Sequence, residues 1–328
     1  MRWIPSAGIV LAAGLLLVAA VAARPAAAPG VRALEGLAPG EAEGLAAQMR
    51  AVEGWRGTPF RQPVPVRRSA APPDGRQGWY DAEAGVLTLA VEPGHPLYAA
   101  TVTHELVHAL QDQDVDLGLL SALRAGDASA ALHAVAEAEA LAGTEALLGF
   151  SMAAHLQPAA DAPISASHAQ LLFESGPARR WLDAHGGPAV ALRDVPGSTA
   201  ALLGGAAAAG EAPACGPAAG EAAGALRLWR VATADPASRP EADALAAAWR
   251  GDRWSAAAAD GAGAWGIRLA VAPSAAAVQG VIQGLQASLA PQGCSPGGAA
   301  CPKVSGGLQP APAGVDLCLR WSATPGPG

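Results

Sequence analysis

His104, Glu105 and His108 stand in the order H-E-x-x-H within Thr-Val-Thr-His-Glu-Leu-Val-His-Ala-Leu-Gln-Asp-Gln, residues 101–113. On an α-helix, residues four apart return to one face, so the two imidazoles can reach one metal ion at Zn–N distances of about 2.0–2.1 Å. Glu105 then lies beside the open coordination position, where a carboxylate can take a proton from an activated water and pass it to a leaving amine. The chemistry these residue types support is hydrolysis of a peptide bond, with zinc as the cofactor, His104 and His108 as ligands and Glu105 as general base. Such a centre needs a third protein ligand and one position left open.

The elements that must position these groups can be read around the motif. Gly94 and Pro96 signal the start of the motif helix, and Leu106 and Leu110 give it an apolar stripe on a face other than that of the histidines. Upstream, Leu34, Leu37, Leu45, Met49 and Val52 predict a helix over about 34–52, interrupted near Pro39-Gly40. Pro63-Val-Pro-Val-Arg-Arg predicts a strand, and Gly78–Asp81 with Val86–Val91 predict a hairpin turning through Ala84-Gly85. The free edge of that hairpin can hold an extended peptide by strand addition, which makes Trp79 and Tyr80 candidates for contact with substrate. Downstream, 115–125 predicts a short helix, and Asp127 is placed to cap a longer one over about 128–150.

That longer helix carries His133, Glu137, Glu139 and Glu145, and the third ligand is expected from it. Asp114 occupies the ligand position of the longer pattern H-E-x-x-H-x-x-G-x-x-H, but Gln111 stands where that pattern has its turn glycine. His133 and Glu137 lie four apart on one face, so spacing leaves the choice between them open. Asp112, inside the motif segment, is a candidate partner for a ligand histidine.

The run His-Glu-Leu-Val-His-Ala-Leu-Gln-Asp-Gln resembles the signature H-E-L-x-H-A-L-Q-D-Q-H-F-D-L of a largely uncharacterised prokaryotic family of zinc metallopeptidases, gluzincin-like in pattern. Its second signature, A-L-V-E-G-D-A, resembles Ala134-Val-Ala-Glu-Ala-Glu-Ala140, and the resemblance implies Glu137 as the third ligand. Glu139 keeps an acid where the family has aspartate, a candidate outer partner for a histidine N–H. Weaker similarities cover Arg56-Gly57, Gly78–Asp81, Leu171–Gly176, Pro196–Thr199 and Trp249–Arg253. Glu174 and Ser175 replace the proline and tyrosine of the family pattern, Ala200-Ala201 its Glu-Gln, and Asp114 a histidine.

Composition bounds the rest. A net charge of −7 with no Lys/Arg cluster excludes a basic footprint for nucleic acid, leaving a peptide or protein as the expected partner. Much of the hydrophobic half of the chain is alanine, which favours helix and specifies packing poorly. Residues 1–23 have the plan of a secretory signal, or of an N-terminal anchor over 3–23 if uncleaved, so export to the periplasm or the extracellular space is expected, with membrane association only in the second case. Two disulfides fit that setting, Cys294–Cys301 across a short Gly/Pro loop and Cys215–Cys318. The expected class is α+β and helix-rich. A flexible lead-in (24–33) precedes a zincin-like metallopeptidase domain (34–203) with a small upstream β-hairpin, followed by a linker (204–220) and a small α+β C-terminal module tied by disulfide (221–328). The alternative function is a zinc-binding envelope scaffold or binding protein with impaired catalysis.

Overall fold

Alternating Val64 and Val66 turn inward along strand β2 (Val64–Arg68), and the sheet built on it is the first structural unit of the chain. The structure is a computed structural model and describes residues 30–70, 76–124, 126–151, 164–187, 192–205, 213–215, 217, 223–236, 238–255, 262–289, 303–312 and 314–322. Strand β1 (Val31–Glu35) runs parallel to β2, which runs parallel to β4 (Val86–Leu89). The outer strand β3 (Gly78–Asp81) pairs antiparallel with β4, giving the order β1-β2-β4-β3. The predicted hairpin is therefore present, its turn set by the Asp81 carboxylate, which accepts from Ala84 N–H at 3.0 Å, and by Gly85 at φ 64°.

Helix α1 (Glu41–Arg56) buries Leu45, Met49 and Val52 against this sheet, the face expected from their spacing. The predicted start at Leu34 is corrected: Leu34 lies in β1, because Pro39 and Gly40 (φ 79°) form a full turn between strand and helix rather than a kink within one helix. The motif helix, α2 (Tyr98–Val115), packs its apolar side, Val102, Leu106, Val107 and Leu110, into the same core. It ends at Asp116, whose left-handed backbone (φ 56°) reverses the chain into α3 (Leu117–Ala122).

Helix α4 (Asp127–Leu148) separates two cores. Ala140 faces the sheet-side core, whereas Ala131, Leu132, Ala134, Val135 and Ala138 belong to a second. Its small residues let it lie close to α2; a Cβ added at Gly143 would come within 2.8 Å of Trp55 and 3.0 Å of Val107. Asp127 does not cap α4 as expected. It lies in the first turn, and its buried carboxylate instead accepts from the N–H and hydroxyl of Thr199, at 2.8 and 2.5 Å.

The second core continues without a break through α5 (Ala166–Phe173), a π-turn (Glu174–Ala178), α6 (Arg179–Ala184), α7 (Thr199–Leu202), α8 (Gly224–Ala234) and α9 (Ala242–Ala247). It also includes α10 (Ala275–Leu289) and an antiparallel sheet of β5 (Trp249–Ser255), β6 (Gly263–Leu269), β8 (Gly314–Ser322) and β7 (Lys303–Ala311), in that spatial order. β7 and β8 form an antiparallel hairpin, and Lys-Val-Ser-Gly-Gly-Leu-Gln-Pro-Ala lacks an apolar alternation because β7 is an almost wholly exposed edge. Around 204–220, Ala214 N–H donates to the buried Asp316 carboxylate at 2.6 Å, and Cys215 is bonded to Cys318 with a Cα–Cα distance of 5.8 Å. Residues 1–29, Cys294 and Cys301 lie outside the described residues, and with them the expected signal segment and second disulfide. No helix among the described residues is long and apolar enough to cross a membrane.

The Cys215–Cys318 bond closes a loop across a sequence separation of 103 residues, and removing it frees that loop in the unfolded chain. The double variant Cys215→Ser/Cys318→Ser is expected to lose about 2–5 kcal/mol of stability. Urea denaturation of both proteins, without reductant, measures the difference.

Candidate metal centre

The close packing of α2 on α4 brings three donors together. His104 Nε2 lies 3.1 Å from His108 Nε2 and 3.1 Å from a Glu137 oxygen, while His108 Nε2 lies 3.4 Å from the other Glu137 oxygen. Ligands about 2.05 Å from a tetrahedral ion stand about 3.3 Å from one another; the imidazole pair has that spacing, and each Glu137 oxygen stands at a like distance from one ring, with one ligand atom from each of the three residues lying within 4.8 Å of the others. Among the described residues, His104, His108 and Glu137 form the one group of histidine, cysteine and carboxylate side chains able to hold a metal ion. Two imidazoles with a carboxylate suit a borderline divalent ion.

The tautomer of His108 is set by neighbours. Gln111 donates its amide N–H groups to the Ala136 carbonyl at 3.0 Å and to Glu139 at 2.9 Å, which directs its carbonyl oxygen to His108 Nδ1 at 2.8 Å. An acceptor there keeps the proton on Nδ1, so that the neutral ring, the form that can ligate, turns its Nε2 lone pair to His104 and Glu137. Glu139 therefore reaches the histidine through Gln111, and it is itself held by Arg56 Nε at 2.6 Å. Burial pushes the Glu139 carboxyl up, against the opposing pull of Arg56.

The remaining candidates take separate places. A Glu105 oxygen accepts from the backbone N–H of Tyr80 at 2.8 Å, so the outer strand β3 holds the proposed base. Tyr80 also donates its hydroxyl to Asp112 at 2.8 Å; burial, then Asp112, raise the pKa of the phenol. Asp112 thus serves Tyr80, and the Leu117 N–H at 2.8 Å, with no bond to either histidine. Trp79 lies beneath the Arg76 guanidinium, 5.3 Å from its ring centroid. Asp114 points toward Arg56 and Arg61 and stays outside the donor triangle. His133 approaches Glu137 to 3.7 Å without joining it.

Electrostatics tie the donors to one another. Burial opposes a charge on His108, but the Glu137 carboxylate, and then Glu105 and Gln111, outweigh it and push the imidazole up to about 10. Burial likewise opposes a charge on Glu137, and the two histidines overcome it, holding that carboxyl well below its usual range. A cavity of about 850 Å³ opens beside the group, lined by Tyr80, His108, His133, Glu137, Leu117 and Leu132 among others.

Spacing did not single out Gln111 or Arg56. The signal for Gln111 was its place three residues after His108, on the same face of the helix. Glu174, read only as a departure from the family pattern, is buried in the π-turn, where burial and then Glu137 push its carboxyl up to about 8. Comparison of the chain with protein-family models, with curated proteins and with solved structures finds no match.

Proposed function

We propose that the chain is an exported zinc-dependent metallopeptidase, zincin-like and of the gluzincin-like family that its motifs resemble. The observation that carries this reading is the convergence of His104, His108 and Glu137, from an H-E-x-x-H helix and its neighbour, into one group able to hold a metal ion beside an open cavity. Bound there, zinc supplies Lewis acidity, lowering the pKa of water to about 7 and polarising a carbonyl oxygen.

The protein groups supply the rest. Glu105, fixed through one oxygen by the Tyr80 N–H, keeps its other oxygen to take a proton from water and return it to the leaving nitrogen. The outer position of β3 supports a role in aligning an extended peptide, with Trp79 and Tyr80 at its edge. One outward amide of that edge, at Tyr80, is already given to Glu105, so pairing must use the other groups of the strand. The Cys215–Cys318 disulfide supports an oxidising, exported setting.

The test uses the purified chain without residues 1–23, analysed for bound metal and assayed on a mixed peptide library with and without chelator. Zinc at one per chain is expected, with cleavage that chelation abolishes and that Glu105→Gln lowers by about 10²-fold or more while the metal stays. Metal with no cleavage above Glu105→Gln would exclude the peptidase and leave the scaffold reading. Absence of metal would exclude both.

A further inference from the structure

Peptide hydrolysis at this centre needs a hydrogen-bond donor for the carbonyl oxygen as it gains negative charge, and the described residues restrict where one can come from. Neither tyrosine hydroxyl is at hand: that of Tyr80 is given to Asp112, and that of Tyr98 to Glu41, both at 2.8 Å. Among the described residues, no lysine or arginine lines the cavity. Of the hydroxyl side chains that do, Ser121 belongs to α3, outside the two helices that carry the donors, and Ser129 precedes Glu137 by eight residues, about 12 Å along α4.

His133 is differently placed. It lies one turn before Glu137 on α4, with Nε2 3.7 Å from the Glu137 oxygen that faces His108, and its side chain is 65% exposed to the cavity. At 3.7 Å it stands beside the ligand group, beyond hydrogen-bond length and outside the donor set, with its exposed ring on the cavity wall. Glu105 is bonded to β3 and His133 stands on α4, so base and donor come to the His104–His108–Glu137 group from different elements.

Resting on the peptidase reading above, we propose that His133 is a catalytic residue whose Nε2–H donates a hydrogen bond to the scissile carbonyl oxygen. In the reaction the oxygen of water bonds to the carbonyl carbon as the C=O π pair moves onto oxygen, where His133 meets it. Glu105 receives the proton of the water. The oxygen's electron pair then re-forms the C=O bond as the C–N bond breaks, the C–N pair leaves with nitrogen, and the proton held by Glu105 passes to that nitrogen. Acid and amine are the products, with no other reactant required.

The experiment compares the zinc-loaded wild type with His133→Ala and His133→Gln, measuring zinc content, kcat and KM on a peptide the wild type cleaves. Calorimetry adds the affinity of each for a phosphinic pseudopeptide, which mimics the tetrahedral oxygens, and for the uncleaved peptide in a Glu105→Gln background. In His133→Ala, kcat is expected to fall about 10²–10³-fold with KM and zinc content unchanged. Affinity for the phosphinic compound should fall by a similar factor while that for the uncleaved peptide holds, and His133→Gln, which keeps an N–H donor, should recover part of both. An active wild type with unchanged kcat in His133→Ala overturns the proposal alone, and so does loss of zinc from that variant, which would make His133 a ligand. A wild type that cleaves no peptide overturns it together with the peptidase reading.

Discussion

Glu137→Gln is expected to lose the metal ion and to change the titration of His108 in the metal-free protein. The first effect follows because Gln offers a neutral oxygen where the site has a carboxylate, and the loss should exceed the 10–100-fold in affinity that follows from disturbing outer partners. The second follows from the balance at His108, where burial opposes the charged ring and Glu137 is the largest opposing influence. With that charge gone, burial prevails and the pKa drops from about 10 toward or below the unfolded value of 6.5. The sign for stability follows by linkage. A raised folded-state pKa at His108 contributes stability that is full below 6.5 and is lost as pH rises through about 10. The lowered pKa of Glu137 contributes stability present above 4.5 and lost as pH falls below it. The metal-free wild type should therefore gain most from this pair between about pH 4.5 and 6.5 and lose the gain toward pH 10, and Glu137→Gln should show neither limb. Metal analysis, imidazole NMR titration and thermal melts of the metal-free proteins measure these effects; retention of the ion by Glu137→Gln would remove Glu137 from the ligand set.

What the chain shows on its face is local. Two histidines and a glutamate at H-E-x-x-H spacing need only a helix to converge, and the helix is marked by Gly94, Pro96 and an apolar stripe, so that half of the site was readable. The other half depends on how α4 lies against α2. Nothing in the spacing of His133, Glu137, Glu139 and Glu145 decides which of them faces the motif, and the choice of Glu137 rested on resemblance until the geometry placed its carboxylate against both imidazoles. Alanine is the physical reason: it allows the two helices to approach closely but gives no periodic contrast that would say which side does so. The fold divides along the same line. The hairpin and α1 carry strong apolar patterns and were legible, whereas β7, exposed and rich in glycine, and the turn that separates Leu34 from α1 had no such pattern. Asp127 had the type of a helix cap and is used for a tertiary bond to Thr199, a choice made by a residue 72 positions away.

Arg56→Met is expected to destabilise the protein by about 3–5 kcal/mol, more than any change of an exposed charge, because it leaves Glu139 buried without its partner. The side chains of this pair are 1% and 0% exposed and meet at 2.6 Å. Solvent cannot replace what either loses. The outcome at different pH separates this cause from simple loss of packing. Burial already raises the Glu139 carboxyl with Arg56 opposing it, so removing Arg56 raises it further. A carboxyl raised above its unfolded value contributes stability fully present below that value and lost as pH rises through the folded one, so the deficit of Arg56→Met should grow with rising pH and shrink in acid. The double variant Arg56→Met/Glu139→Leu removes the stranded charge and is expected to recover much of the stability, as apolar replacements of buried pairs do. It should not recover metal binding. Without Glu139, Gln111 keeps only the Ala136 carbonyl to orient its amide, the acceptor at His108 Nδ1 is no longer fixed, and zinc affinity should stay about 10–100-fold below that of the wild type. Urea denaturation of the metal-free proteins at pH 5 and pH 8, with zinc titrations of each, measures both effects. A deficit independent of pH, or a double variant with full zinc affinity, would show that the pair acts by packing alone and that the path from Arg56 through Glu139 and Gln111 does not set His108.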